Sequence, residues 1–191
     1  SPPSPGSPSL PRRGAPILWV GRAHPMKRAE DFLSLVQRFP GLPFKMLLFP
    51  GRDPNYTRML YQQAGQLANL RLWKGVPYRE TEEHFRDCAF LVSTSRHEGF
   101  PNVFLQAWSQ GRAVVSVEIN PDGVLARRGC GAVVAGPEDL VAAVSALEKD
   151  PGVAGEWGRH GYDYVREKHG MEKVLPRFRE ILGKLLGDPA T

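Results

Sequence analysis

The stretch ILWVGRAHPMKRAEDFLSLVQRFPGLPFKMLLFPG, from Ile17 to Gly51, decides the fold. Its first segment, Ile17 to Gly21, is apolar and ends in glycine, as a strand covered on both faces does. Arg28 to Phe39 follows, with Phe32, Leu33, Leu35, Val36 and Phe39 at helical spacing. Phe44 to Gly51 is a second, largely apolar run, again closed by glycine. Strand, helix and strand in this order form a unit whose strands lie parallel and whose crossover is right-handed.

The same alternation runs along the rest of the chain. A helix is expected over Asn55 to Leu67, a strand over Leu70 to Gly75 and a short helix over Glu80 to Asp87. Next come a strand over Ala89 to Ser95, a helix over Val103 to Gln110 stopped by Gly111, and strands over Ala113 to Glu118 and Gly131 to Gly136. The remainder reads as helix, over Pro137 to Lys149, Gly155 to Glu167 and Met171 to Leu186. Together these predict an α/β fold, a doubly wound, Rossmann-like parallel sheet of about six strands covered by helices on both faces. Residues 1–16, rich in proline, serine and glycine, read as a disordered linker or tag remnant, and residues 17–187 as one Rossmann-like domain.

Composition sets limits. The chain has 191 residues, 41% hydrophobic and 24% charged, which fits one globular domain and excludes wholesale disorder. Two cysteines are too few for a disulfide framework, and no apolar run is long enough to cross a membrane. The start lacks the basic-then-apolar pattern of a secretory signal, so a reducing, cytoplasmic setting is the expectation. Lys and Arg number 25 against 20 Asp and Glu, a balance of +5 that favours anionic partners if several cations share one cleft.

In sheets of this type ligands sit beyond the carboxyl ends of the strands. The loop after the first strand, Gly21-Arg22-Ala23-His24-Pro25-Met26-Lys27-Arg28, sets Arg22 and Lys27 beside a helix start. Cations there suit a diphosphate, since backbone amides and the helix dipole add to their charge. Two solvated surface cations are the alternative. The loop is not G-x-G-x-x-G, so a dinucleotide fingerprint is absent. After the fourth strand, Glu98-Gly99-Phe100-Pro101-Asn102-Val103 turns tightly into a helix. Glu98 can accept hydrogen bonds from hydroxyls there, Gly99 lets a ligand approach the backbone, and the amides from Asn102 onward point at that ligand. A capping Asn102 beside an exposed Glu98 is the plainer reading. Gln106 lies two turns further on.

EGFPNVFLQAWSQG (Glu98 to Gly111) resembles the E-G-F-x-x-x-x-x-E-A-x-x-x-G signature of retaining glycosyltransferases of the GT-B fold, family 4. The opening VGRAHPMK resembles that family's V-G-R-x-x-x-x-K. The likeness runs from about Ile17 to about Gly170 and covers the C-terminal, donor-binding half of such enzymes. It implies that Arg22 and Lys27 hold the donor diphosphate and that Glu98 faces the transferred sugar. It implies further that Gly99, Phe100, Pro101, Asn102 and Val103 touch sugar and phosphate, and that Gly21 lies in the same site. Gly75 and Val76, at the turn after the third strand, stand where the family seats the base. Gln106 departs from the pattern, because the family has a second glutamate there for the ribose. An amide accepts at one oxygen only, so ribose binding is expected to be weaker or rearranged.

The resemblance also implies partners: a nucleoside-diphosphate sugar as donor, and an N-terminal acceptor-binding domain without which this part is inactive. No cofactor or metal is implied, since there is no D-x-D motif and two cations can neutralise the diphosphate. The last helix is basic and amphipathic, and either docks within the protein or rests on the cytoplasmic face of a membrane. Three rivals stay open: a decayed nucleotide-binding module, favoured by Gln106; a sugar-nucleotide epimerase or hydrolase of the same architecture; and a nucleic-acid binder. The last is disfavoured, because the cations sit at strand ends and not in an aromatic-interleaved stripe. His24 and His97 lie in the candidate loops without a family role. Cys88 reads as a small core residue and Cys130 as a loop residue.

Overall fold

A computed structural model describes residues 10–170 and residue 176. Six parallel strands form one sheet in the order β3-β2-β1-β4-β5-β6. They are β1 (Ile17–Arg22), β2 (Phe44–Phe49), β3 (Leu70–Lys74), β4 (Phe90–Ser93), β5 (Ala113–Val117) and β6 (Gly131–Val134). Helices α1 (Ala29–Arg38), α2 (Pro54–Gly65), α3 (Tyr78–Arg86), α4 (Asn102–Ser109), α5 (Val124–Arg128), α6 (Pro137–Lys149) and α7 (Pro151–His169) connect and cover them. This is the doubly wound, Rossmann-like sheet expected, and its strand order reverses between β1 and β4.

Alternate residues of each strand feed the two faces. Ile17, Trp19, Met46, Leu48, Val92 and Val115 join one buried cluster with Phe32, Val36, Leu60 and Leu140. Leu18, Leu47, Leu91 and Val114 join the other, with Phe85, Phe104, Trp108 and Leu125. Fully burying a side chain of this size contributes about 1.5–3 kcal/mol, which is why the strands carry so few polar residues.

Apart from β1, which runs one residue past Gly21 to Arg22, the strands end earlier than expected. β4 stops at Ser93, not Ser95, leaving Thr94 and Ser95 in the loop although both are buried. β2 stops at Phe49 because Pro50 has no amide to continue the ladder. α7 starts at Pro151, four residues before the expected Gly155, since Asp150 caps its first turn by accepting from Gly152 N at 3.1 Å. α4 starts at Asn102, with Pro101 in the cap position, so Asn102 is not the cap. Residues 10–16 form no strand or helix, although Pro16 O accepts from Ala89 N at 2.9 Å. Of the expected last helix, residues 171–186, only residue 176 is described, and it is helical. Among the described residues, no helix is long and apolar enough to cross a membrane.

Candidate active site

The loops that follow β1 and β4 face each other where the strand order reverses. The two strands share one register pair, Leu18 with Leu91, and beyond it the loops are joined by Thr94 Oγ1 to Lys27 O and Arg96 N to Met26 O. The β1 loop makes a 3-10 turn, Pro25–Lys27, which His24 starts by accepting from Met26 N through Nδ1 at 3.2 Å. That capping role accounts for His24 without any chemistry.

Lys27 and Glu98 meet between these two loops: the Lys27 ammonium donates to Glu98 Oε1. Burial pushes the Lys27 ammonium below the ordinary lysine range. The side chain of Arg22, exposed at the end of β1, makes no hydrogen bond or ion pair among the described residues, so its guanidinium is available to a ligand. Arg28, next in the chain, has φ 48°, and Glu118, just after β5, has φ 62°. Left-handed backbone at residues with a side chain costs on the order of 1–2 kcal/mol each. The two are linked, since Arg28 lies 3.7 Å from Glu118 and 2.6 Å from Asp31. The Asp31 contact is an ion pair too oblique to count as a hydrogen bond, and burial pushes that carboxyl up against the pull of Arg28.

The Glu98–Pro101 turn delivers the chain to α4. With Pro101 at the cap and no side-chain cap bond, the first-turn amides of Asn102 and Val103 are left for an external partner. Gly99 has open space around its Cβ position, whereas a Cβ at Gly51 would lie 1.8 Å from Ala23 O. The close backbone approach at this rim is therefore between the β2 and β1 loops, at Gly51. Phe100 packs edge-on against Trp108 and next to His169, which fixes the turn to α7.

Gly75, with φ 72°, ends β3 by donating from its amide to Leu48 O at 3.2 Å, and the Val76 side chain is buried with Leu47 and Phe104. This puts the β3 turn on the α4 face of the sheet, but no described contact joins it to Lys27 or Glu98. Gln106 lines a cavity of about 530 Å³ between α3 and α4, with Arg79, Thr81, Glu82, Phe85 and Ser109. Other cavities, up to about 570 Å³, lie toward the amino ends of the strands, away from Lys27 and Glu98.

The cysteines have no part in the site. Burial pushes Cys88 up to about 12 and Cys130 up to about 11, so both stay protonated. Among the described residues no three His, Cys, Asp or Glu side chains gather as a metal site would require. What sequence reasoning missed is Thr94, whose hydroxyl donates to Lys27 O at 2.7 Å; a serine- and threonine-rich strand end was its only signal.

Solved structures share this fold. The chain superposes on sucrose-phosphate synthase from Thermosynechococcus elongatus with a TM-score of 0.76 at 19% identity, over 91% of this chain and 46% of that one. Against the C-terminal domain of LpcC, a group 1 family glycosyl transferase from Francisella tularensis, the TM-score is 0.69 at 18% identity, over 82% of this chain and 87% of that one. Against Anabaena HepE in complex with UDP-glucose it is 0.75 at 15% identity, over 89% and 49%. At these identities the likeness is one of fold, that of one half of a GT-B enzyme, and the chain spans less than half the length of the first and third proteins. Membership comes from the sequence itself: residues 15–150 match the family described as Glycosyl transferases group 1, and the chain belongs to that family.

Proposed function

We propose that the chain is the C-terminal, donor-binding domain of a retaining, family 4 glycosyltransferase that moves a sugar from a nucleoside diphosphate to an acceptor hydroxyl. The observation that carries this reading is the meeting of Lys27 and Glu98 at the reversal of strand order, beside the exposed Arg22. HepE was solved with UDP-glucose, and the pneumococcal transferase GtfA, of like fold (TM-score 0.75), with UDP and GlcNAc, which favours a nucleotide sugar as the donor here.

In this mechanism Arg22 and Lys27 take the diphosphate, together with the free amides of Asn102 and Val103. Charge builds on the diphosphate as the glycosidic bond breaks, and fixed cations and amides stabilise it without reorganising. When the donor enters, Lys27 turns from Glu98 to phosphate, and the freed carboxylate accepts from the sugar hydroxyls. Gly21, Gly99, Phe100 and Pro101 wall the site, Gln106 holds one ribose hydroxyl, and the Gly75-Val76 turn meets the base. The cations do the neutralising, so no metal or other cofactor is called for. An N-terminal domain closes the cleft and binds the acceptor, and the whole works in the cytoplasm or at its membrane face.

The test is turnover by the full-length protein with UDP-, GDP- and ADP-sugars, reading the anomeric configuration of the product. Transfer with retained configuration, absent when this chain is assayed alone, is the expected result. Inversion, or free sugar regardless of acceptor, would contradict the reading.

A second reading, a nucleotide-binding module that has lost catalysis, has one observation in its favour: Gln106 where the family pattern has glutamate. Nucleotide binding without turnover in the same assay would select it.

A further inference from the structure

We infer that Thr94 is a positioning residue: its buried hydroxyl sets the backbone of Lys27, and thereby where the ammonium meets Glu98. Thr94 directly follows β4 and is 0% exposed. Its Oγ1 lies 2.9 Å from Trp19 Nε1 and 2.7 Å from Lys27 O. An indole nitrogen only donates and a carbonyl only accepts. The hydroxyl must therefore accept from Trp19 and spend its single proton on Lys27 O, so its orientation is fixed.

Both ends of this relay are anchored. Trp19 is 2% exposed and stacks on Phe32 with ring centroids 6.0 Å apart. At the other end, Arg96 N donates to Met26 O at 3.0 Å, so two successive carbonyls of the β1 loop are held by the loop after β4. That second loop also carries Glu98. Because β1 and β4 share only the Leu18–Leu91 pair, these two bonds tie the strand ends together where ladder bonds are lacking. Arg28, in left-handed backbone and paired with Asp31 and Glu118, fixes the peptide on the far side of Lys27.

The inference rests on the donor-site reading for what Lys27 does, not for how it is held. Its test therefore starts without ligand, on this chain, by following the NMR signal and titration of the Lys27 ammonium, assigned through its response to Glu98→Gln. Thr94→Val removes the hydroxyl at nearly constant volume; Thr94→Ser keeps it. In Thr94→Ser the Lys27 signal should match the wild type. In Thr94→Val it should move to the position and titration of a solvated lysine. A folded Thr94→Val protein with an unchanged Lys27 signal, even with a lower melting temperature, would overturn the inference, because that is what a merely structural role produces. If Thr94→Val does not fold, Trp19→Phe frees the hydroxyl to rotate. A shift of the Lys27 signal toward that of a solvated lysine then supports the inference, and an unchanged signal overturns it. In a second arm, the nucleoside diphosphate that binds best should bind Thr94→Val about tenfold more weakly than Thr94→Ser. If no nucleotide binds the wild type while the Lys27 signal still depends on Thr94, the positioning stands and the donor-site reading falls.

Discussion

Lys27 and Glu98, 71 residues apart in the chain, form an ion pair that joins the loops after β1 and β4. Both side chains are largely shielded, at 29% and 20% exposure, so the pair is not the exposed type that contributes almost nothing. On the proposed donor-site reading, an incoming diphosphate competes with Glu98 for the ammonium. Glu98→Gln should therefore raise affinity for a bare nucleoside diphosphate a few-fold while lowering sugar transfer, and Lys27→Met should weaken both. For Lys27→Met the loss should be on the order of tenfold to a hundredfold, as for a hydrogen bond to a charged group. Calorimetric titration of the full-length variants, with transfer rates alongside, checks both signs.

The burial of Lys27 gives this competition a pH signature. Its pKa lies below the ordinary lysine range, so the charge that the proposal assigns to the phosphate is lost earlier as pH rises. Nucleotide affinity should decline on the alkaline side while ordinary lysines are still protonated. Between the lowered and the ordinary value the unfolded chain binds more protons than the folded one, so this group's contribution to stability rises with pH there. Lys27→Arg, charged throughout, should abolish the alkaline decline in affinity. Affinity measured from neutral to about pH 10 for both proteins decides this.

Much of this architecture was readable from sequence, for identifiable reasons. Strands covered on both faces leave uninterrupted apolar runs, and Gly51 and Gly75 lie just past the ends of the second and third, so all six strands were located to within a few residues, although the first continues through Gly21 to Arg22. Helix α5 went unseen because five residues make little more than one turn, too short for periodicity to register. The start of α7 at Asp150-Pro151 was missed although an N-cap followed by proline is a start signal. At the site, motifs identified Arg22, Lys27 and Glu98 singly. Their relation was hidden, because a contact spanning 71 residues depends on how two loops project from neighbouring strands. The contact of Thr94 with Lys27 O was hidden for the same reason.

Helix α7 is held close to α4 by glycines. A Cβ at Gly161 would lie 2.1 Å from the Trp108 ring, and one at Gly158 would lie 2.0 Å from Gly111 O. In an open helix Gly→Ala is stabilising by about 0.5–1 kcal/mol. Here overpacking should outweigh that gain, costing about 1–3 kcal/mol. Thermal unfolding of Gly158→Ala and Gly161→Ala should show melting temperatures lower by several degrees. Nucleotide binding should weaken as well, since α4 begins with the amides of Asn102 and Val103.

Gln106 is the position where this chain parts from its family pattern. If the ribose binds there as proposed, a carboxylate would accept from two of its hydroxyls, an amide oxygen from one arm only. Gln106→Glu in the full-length protein should tighten nucleotide-sugar binding by about 1 kcal/mol, roughly fivefold, and retain transfer. Tighter binding with no transfer in either protein would assign the chain to the decayed class.

The most direct test is an NMR titration of this chain with UDP, GDP and ADP, following backbone amides and the Lys27 ammonium. The account predicts saturable shifts with one nucleotide, concentrated at Arg22, Lys27 and Glu98 to Gln106, and loss of the Lys27–Glu98 contact as the site fills. Saturable binding that leaves those residues unmoved, with shifts at the amino-end cavity lined by Arg12, Arg86 and Arg112 instead, would contradict it.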